Sequence, residues 1–315
     1  MDNLIEVKGV AKKFSRKVVL DNVSLNIRQG KIFGIIGVSG SGKTTLLNTM
    51  VGFCRPSAGE VLYQGKKIDR NLGAVKKDFG FGTQTNSFYP KLTVQENLEY
   101  FGTLYGLDKK TLKINISRIL PLLKLEDERQ VVAENLSGGM QRRLDMACAL
   151  VHYPKVLILD EPTEDLDPKL RSDIMGTIKQ INKTGTTIII TSHLLWEMER
   201  LCDEVAILHN SSILKVGSVE ELRQLYSSKE EVHVEVASGN YEYLMSGLND
   251  NDVEKYVKKR NRLVIYCRTS GEKVLRDVLR LVDGAQDRIN LVDIKRPSLN
   301  EIFAGLTTGT GMEKQ

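Results

Sequence analysis

The segment Gly37-Val38-Ser39-Gly40-Ser41-Gly42-Lys43-Thr44 constrains the chain more than any other. It fits GxxxxGK[ST], the phosphate-binding loop pattern. Glycines let the backbone turn tightly, so that its N–H groups converge on an anion. A helix starting directly after the loop adds the positive end of its dipole. The flanks supply that context. Lys31–Ile36 is a short apolar run that reads as a buried strand, and Lys43 to about Val51 reads as a helix. On this reading Lys43 reaches the β- and γ-phosphates of a nucleotide and Thr44 ligates Mg²⁺.

The matching half lies downstream. Val156-Leu157-Ile158-Leu159 is a β-branched-rich apolar run that ends in Asp160-Glu161. Two acids after a strand are, taken alone, a solvated loop. Beside a phosphate-binding loop they gain roles: Asp160 holds Mg²⁺, through water, and Glu161 orients and polarises the attacking water. The two motifs together read as a P-loop nucleoside triphosphatase.

The rest of the chain sets the architecture. Leu4 to Ile27 alternates in short runs, as in an antiparallel sheet. Thr93 to Ala149 is mostly helical, opened by Thr93 as N-cap with Glu96 in a capping box. Leu112, Ile116, Ile119, Leu120 and Leu123 follow at helical spacing. Strands and helices then alternate to Leu208, which implies a mainly parallel sheet with helices on both faces. A helix from Val219 to about Tyr226 leads to the linker Ser227-Ser228-Lys229. Beyond it the order βαββαβ predicts a small split-βαβ domain.

Bulk properties narrow the setting. Among 315 residues, 41% are hydrophobic and 27% charged, which suits a globular chain rather than a disordered one. The net charge of +5 is spread out, and neither Trp196 nor the scattered tyrosines form a stacking platform, so no specific nucleic acid is expected. Cys54, Cys148, Cys202 and Cys267 lie far apart without a CxxC pair, as reduced thiols in a cytosolic protein do. The start MDNLIEVKGV has no signal-peptide pattern, and no apolar run approaches the roughly 20 residues that span a bilayer.

Leu136-Ser137-Gly138-Gly139-Met140-Gln141 sharpens the reading. With this signature before a helix, the chain resembles the ATPase subunit of an ABC transporter over about Leu4 to Tyr226. The resemblance implies a RecA-like P-loop core (residues 1–226) with an antiparallel β subdomain and an inserted helical subdomain at about 86–152. A small α+β, ferredoxin-like accessory domain would fill residues 227–315. It implies ATP and Mg²⁺ as ligands, with Gly37 through Thr45 around the phosphates and the ring of Phe14 against adenine. Gln84 senses Mg²⁺ and the membrane partner, and His193 contacts the γ-phosphate. Asp167 belongs to the loop after the Mg²⁺ site. Ser137, Gly138 and Gly139 cap the γ-phosphate held by a second cassette, the same chain or a paralogue, packed head to tail. A separate transmembrane permease supplies the pore, which places the chain at the cytoplasmic face of the membrane.

Met140 with Arg142-Arg143, and the ending Arg296-Pro297-Ser298-Leu299-Asn300-Glu301-Ile302-Phe303, resemble the exporter branch. Arg142 and Arg143 read as phosphate-proximal or partner-facing charges. His152, His209 and His233 read as structural. The alternatives are a soluble, non-transport ATPase of the same class and an ATP-dependent regulator. One departure stands out: Glu164-Asp165 replaces the common Ser-Gly before Leu166-Asp167. This removes a glycine's freedom and places two acids in a loop that, by the resemblance, crosses the interface between cassettes.

Overall fold

The computed structural model describes residues 3–85, 87–224, 230–295, 299, 302 and 303. Contacts divide the chain into two compact units at Ser218/Val219, earlier than the boundary expected at residue 226. The helix beginning at Val219 therefore falls with the second unit. The expected linker Ser227-Ser228-Lys229 lies outside the described residues, as does most of the ending 296–303.

The first unit opens with β1 (Asn3–Phe14) and β2 (Lys17–Arg28), followed by β3 (Ile32–Ile36) and α1 (Lys43–Met50). Next come β4 (Ala58–Tyr63), β5 (Lys66–Lys67), α2 (Leu72–Asp78) and β6 (Phe79–Gly82). One sheet has the order β2-β1-β4-β5 with antiparallel pairing. It is the expected antiparallel part. Leu4, Ile5, Val7, Leu25 and Ile27 are buried in the core together with α1 residues Leu46, Leu47 and Met50.

Three helices follow: α3 (Val94–Leu104), α4 (Lys109–Leu122) and α5 (Gly138–Leu150). Thr93 and Glu96 form the capping box in both directions, so two N–H groups at the start of α3 are satisfied. Leu112, Ile116, Ile119, Leu120 and Leu123 are all buried. Each such side chain contributes about 1.5–3 kcal/mol by leaving water.

The chain then forms β7 (Val156–Asp160), α6 (Pro168–Lys183), β8 (Thr187–Ser192), α7 (Leu195–Leu201), β9 (Glu204–His209) and β10 (Ser212–Gly217). The second sheet runs β10-β9-β3-β8-β7-β6, parallel except for the antiparallel edge β10. Strands β3, β7 and β8 are buried throughout, as continuous apolar runs in a doubly covered sheet must be. The carboxyl ends of β3, β6, β7 and β8 share one edge, and ligands of open α/β sheets bind along such an edge. Ile36 pairs with Ser192 and Asp160 with Thr191, which brings the loops after three strands side by side.

The second unit contains α8 (Val219–Gln224), β11 (Glu231–Val236), α9 (Glu242–Gly247), β12 (Val253–Lys259), β13 (Arg262–Cys267), α10 (Gly271–Gly284) and β14 (Ile289–Lys295). The sheet order is β12-β13-β11-β14, all antiparallel. This is the split-βαβ arrangement. Val274, Val278 and Val282 of α10 are buried in one cluster with Val232, Val234, Leu263 and Ile265 of the sheet.

Candidate active site

The loop between β3 and α1 is shaped by its glycines. Gly40 (φ 77°) and Gly42 (φ 109°) lie in the left-handed region, and a Cβ on Gly37 would sit 2.6 Å from the Leu208 carbonyl oxygen. Val38, Ser39 and Gly40 form the exposed crest, while Ser41, Gly42 and Lys43 are buried. The Ser41 hydroxyl is buried without a hydrogen-bond partner in the chain. Such an orphan calls for an external acceptor, and phosphate oxygens supply one.

Lys43, only 5% exposed, donates to the carbonyls of Gly37 (2.9 Å) and Val38 (3.3 Å) and pairs with Glu161 Oε1 at 3.0 Å. Thr44 Oγ1 donates to Asp160 Oδ2 at 2.7 Å. The other oxygen, Oδ1, accepts from Thr191 Oγ1 at 2.5 Å. Thr44 and Asp160 thus place a hydroxyl and a carboxylate together, a hard-oxygen donor set that fits Mg²⁺.

Glu161 begins the loop after β7 with φ 47°, a strained value for a residue with a Cβ. Its N–H donates to Thr191 Oγ1 at 2.9 Å. Its carboxylate Oε2 lies 2.6 Å from His193 Nδ1, which acts as the donor to the ionised acid. Burial pushes this carboxyl up, but the hydrogen bonds and charges of Lys43 and His193 outweigh burial and hold it below the ordinary range. Glu161 is therefore ionised at neutral pH.

Gln84 follows β6, and its side-chain amide donates to Glu164 Oε2. One donor atom each from Glu161, Glu164 and His193 lies within 4.8 Å of the others. The structure thus gathers Lys43, Thr44, Asp160, Glu161 and His193, with Gln84 beside them through Glu164.

Apart from Thr45, which directly follows Thr44, the other expected residues lie outside that hydrogen-bonded group. Phe14 ends β1 half-exposed, with Lys12 Nζ 4.9 Å from its ring centre. Thr45 is half-buried in α1, where its carbonyl accepts from Thr49. Ser137 is the N-cap of α5, its Oγ accepting from Met140 N–H at 3.4 Å, and Gly138 and Gly139 open the helix. Asp167 caps α6 by accepting from Lys169 and Leu170 N–H. Among the described residues, no hydrogen bond joins these to the Lys43–Glu161 group.

Two site residues escaped sequence reasoning. Thr191 is fully buried and bridges Asp160 to the Glu161 N–H. A polar residue closing an apolar strand just before Ser192-His193 was the available signal. Arg142 was read as phosphate-proximal or partner-facing. It is instead buried, with its guanidinium on backbone carbonyls. Long charged side chains on a helix usually reach solvent, so nothing in the sequence marked the carbonyls that hold this one.

Comparisons with known proteins address the family and the fold. Residues 20–164 match the family described as ABC transporter, and residues 217–307 match the family described as ATP-binding protein DrrA1-3-like, C-terminal domain. Nod factor export ATP-binding protein I of Rhizobium sp. (strain N33) is 32% identical, covering 98% of both chains. Linearmycin resistance ATP-binding protein LnrL of Bacillus subtilis (strain 168) is 29% identical over 98% of this chain and 99% of its own. Among solved structures, a dimeric bacterial ABC transporter cassette superposes with a TM-score of 0.61 at 29% identity, over 68% of this chain and 98% of that one.

Proposed function

We propose a division of labour among the site residues from one premise: the chain belongs to the ABC transporter family, as the ATP-binding and ATP-hydrolysing subunit of an exporter. The loop from Gly37 to Thr45 cradles the phosphates through its N–H groups, with Ser41 as a further donor. Lys43 exchanges Glu161 for phosphate oxygens. Thr44 and Asp160, with Gln84, would hold Mg²⁺, which when bound would neutralise charge on the phosphate oxygens. The exposed ring of Phe14 takes the adenine face.

Hydrolysis proceeds by direct attack of water, without a covalent intermediate on the protein. Glu161 orients that water and accepts its proton at a carboxylate oxygen. His193 donates through Nδ1 to Glu161, which fixes the imidazole in this structure; with ATP bound, its one ring N–H turns instead to a γ-phosphate oxygen. The observation that carries this reading is the Glu161 carboxylate, held ionised between Lys43 at 3.0 Å and His193 at 2.6 Å.

Ser137, Gly138 and Gly139 stand apart from the group around Glu161 in a single chain. In this reading a second cassette brings its own copy of them to the phosphate, and Asp167 lies at that junction. No described helix is long and apolar enough to cross a membrane. A separate permease supplies the path, selects the cargo and holds the chain at the cytoplasmic face. Its docking surface is the apolar exposure flanking the Gln84 segment. Phe53 is 73% exposed and packs edge-on against Phe81, and half-exposed Tyr89 packs on Tyr100.

The test is size-exclusion chromatography and ATP hydrolysis of Glu161→Gln. Turnover should disappear while ATP binding persists, and ATP should shift the protein from monomer to dimer. Retained turnover would overturn the assignment of Glu161.

A further inference from the structure

Arg142 lies early in α5, the helix capped by Ser137. The residue is 8% exposed, and the five N–H donors of its guanidinium meet five backbone carbonyls. Nε donates to Pro162 O at 2.8 Å. One terminal nitrogen donates to Thr83 O (2.9 Å) and Gln84 O (3.3 Å). The other donates to Asp160 O (3.4 Å) and Glu161 O (3.0 Å). No donor remains for a phosphate or a partner protein.

The carbonyls belong to two separate segments, one carrying Gln84 and the other running from Asp160 to Pro162. Asp145, one turn further along α5, accepts the Ser87 N–H at 2.6 Å, so the same helix face grips the Gln84 segment by carbonyls and by an amide. The nearest Asp145 oxygen is 3.9 Å from Arg142, so the carbonyl dipoles carry much of the compensation for the buried charge. Glu161 is held in a strained conformation (φ 47°) from both sides. Thr191 accepts its N–H, and Arg142 donates to its carbonyl. Releasing either end lets the peptide relax and turns the carboxylate away.

We infer that Arg142 is a positioning residue for ATP hydrolysis: through the carbonyls of Glu161 and Gln84 it sets the direction of both side chains at once. The inference rests on the reading of Glu161 as the group that orients water. The planar, five-donor fork is the necessary feature, and lysine, with three donors on a point charge, does not reproduce it.

The experiment measures steady-state hydrolysis and binding of a fluorescent ATP analogue by the full chain, with its permease in membranes when the chain alone turns over below detection. Wild type, Arg142→Lys, Arg142→Met and Glu161→Gln are compared, with thermal melts of each. Arg142→Lys should lose at least tenfold in kcat, with KM and analogue affinity within threefold of wild type. Wild-type kcat in Arg142→Lys and Arg142→Met, beside an inactive Glu161→Gln, would overturn the inference alone. Wild-type turnover in Glu161→Gln would overturn the reading beneath it, and the inference with that reading. Should Arg142→Met fail to fold, Arg142→Lys decides. A parallel collapse of melting, binding and rate in Arg142→Lys would make Arg142 a folding residue and also overturn the inference.

Discussion

Thr191 offers the most direct test of how the strand ends hold the acids. Its hydroxyl donates to the Asp160 carboxylate at 2.5 Å and accepts the Glu161 N–H at 2.9 Å, in a fully buried position. Thr191→Val keeps the shape and removes both bonds. A bond to a charged acceptor is worth about 1.5–3 kcal/mol and a neutral one about 0.5–1.5 kcal/mol, so the expected loss is about 3 kcal/mol. At about 2–4 °C per kcal/mol for a unit of this size, melting falls by about 6–12 °C. The freed Glu161 peptide also relaxes from its strained conformation. At a temperature where the variant is folded, turnover should therefore drop at least tenfold while ATP affinity stays within threefold. Thr191→Ser, which keeps the hydroxyl, should behave nearly as wild type. A Thr191→Val protein that melts within about 1 °C of wild type and hydrolyses ATP at full rate would refute the reasoning.

Two further outcomes are expected. Burial drives His152 down to about 4, against the smaller upward pull of its bond to Phe79 O and the Asp78 charge. The unfolded chain takes up that proton first, so stability is intact above about pH 6.5 and falls between there and pH 4, on the order of 2–3 kcal/mol in all. Thermal melts across this range should show the slope, and a His152→Phe variant, whose ring can still stack on Tyr105, should flatten it; an equal slope in both would rule His152 out as its source. Reverting Glu164-Asp165 to Ser-Gly should tighten ATP-dependent association of two copies by about fivefold at low salt, near 1 kcal/mol, and less at high salt. Unchanged affinity in sedimentation equilibrium would contradict that.

Much of the fold was legible because its parts are locally consistent. The buried strands β3, β7 and β8 are unbroken apolar runs, and α3 is announced by its capping box. The βαββαβ order likewise followed from periodicity alone. What stayed hidden depends on what each segment pairs with in the folded chain. Strand β10 is a half-buried edge without a clean alternation, and only its pairing with β9 makes it a strand. The role of Arg142 exists because the ends of β6 and β7 turn their carbonyls toward one point. The unit boundary also depends on contacts, since a helix following a cassette reads the same whichever unit it packs with.

The Glu164-Asp165 departure changes meaning once its geometry is known. The sequence suggested lost flexibility and two interfacial acids. Asp165 nevertheless holds φ 58°, the left-handed conformation a glycine would adopt freely, and aspartate tolerates it better than most residues because its side chain is short and polar. The turn is thus kept at a modest energetic cost. Glu164 faces its own site: its carboxylate accepts from Gln84, and its N–H donates to the Glu161 carbonyl at 3.2 Å. Only Asp165 of the pair is exposed. On the proposed head-to-tail packing, the loop therefore brings nearer one exposed acid per copy than two. The other acid competes for the amide of Gln84, so any turn of Gln84 toward a metal must first break that bond. In this chain the loop after the acids is coupled to the Gln84 segment by a side-chain hydrogen bond that serine, being shorter, would not reach in the same backbone position.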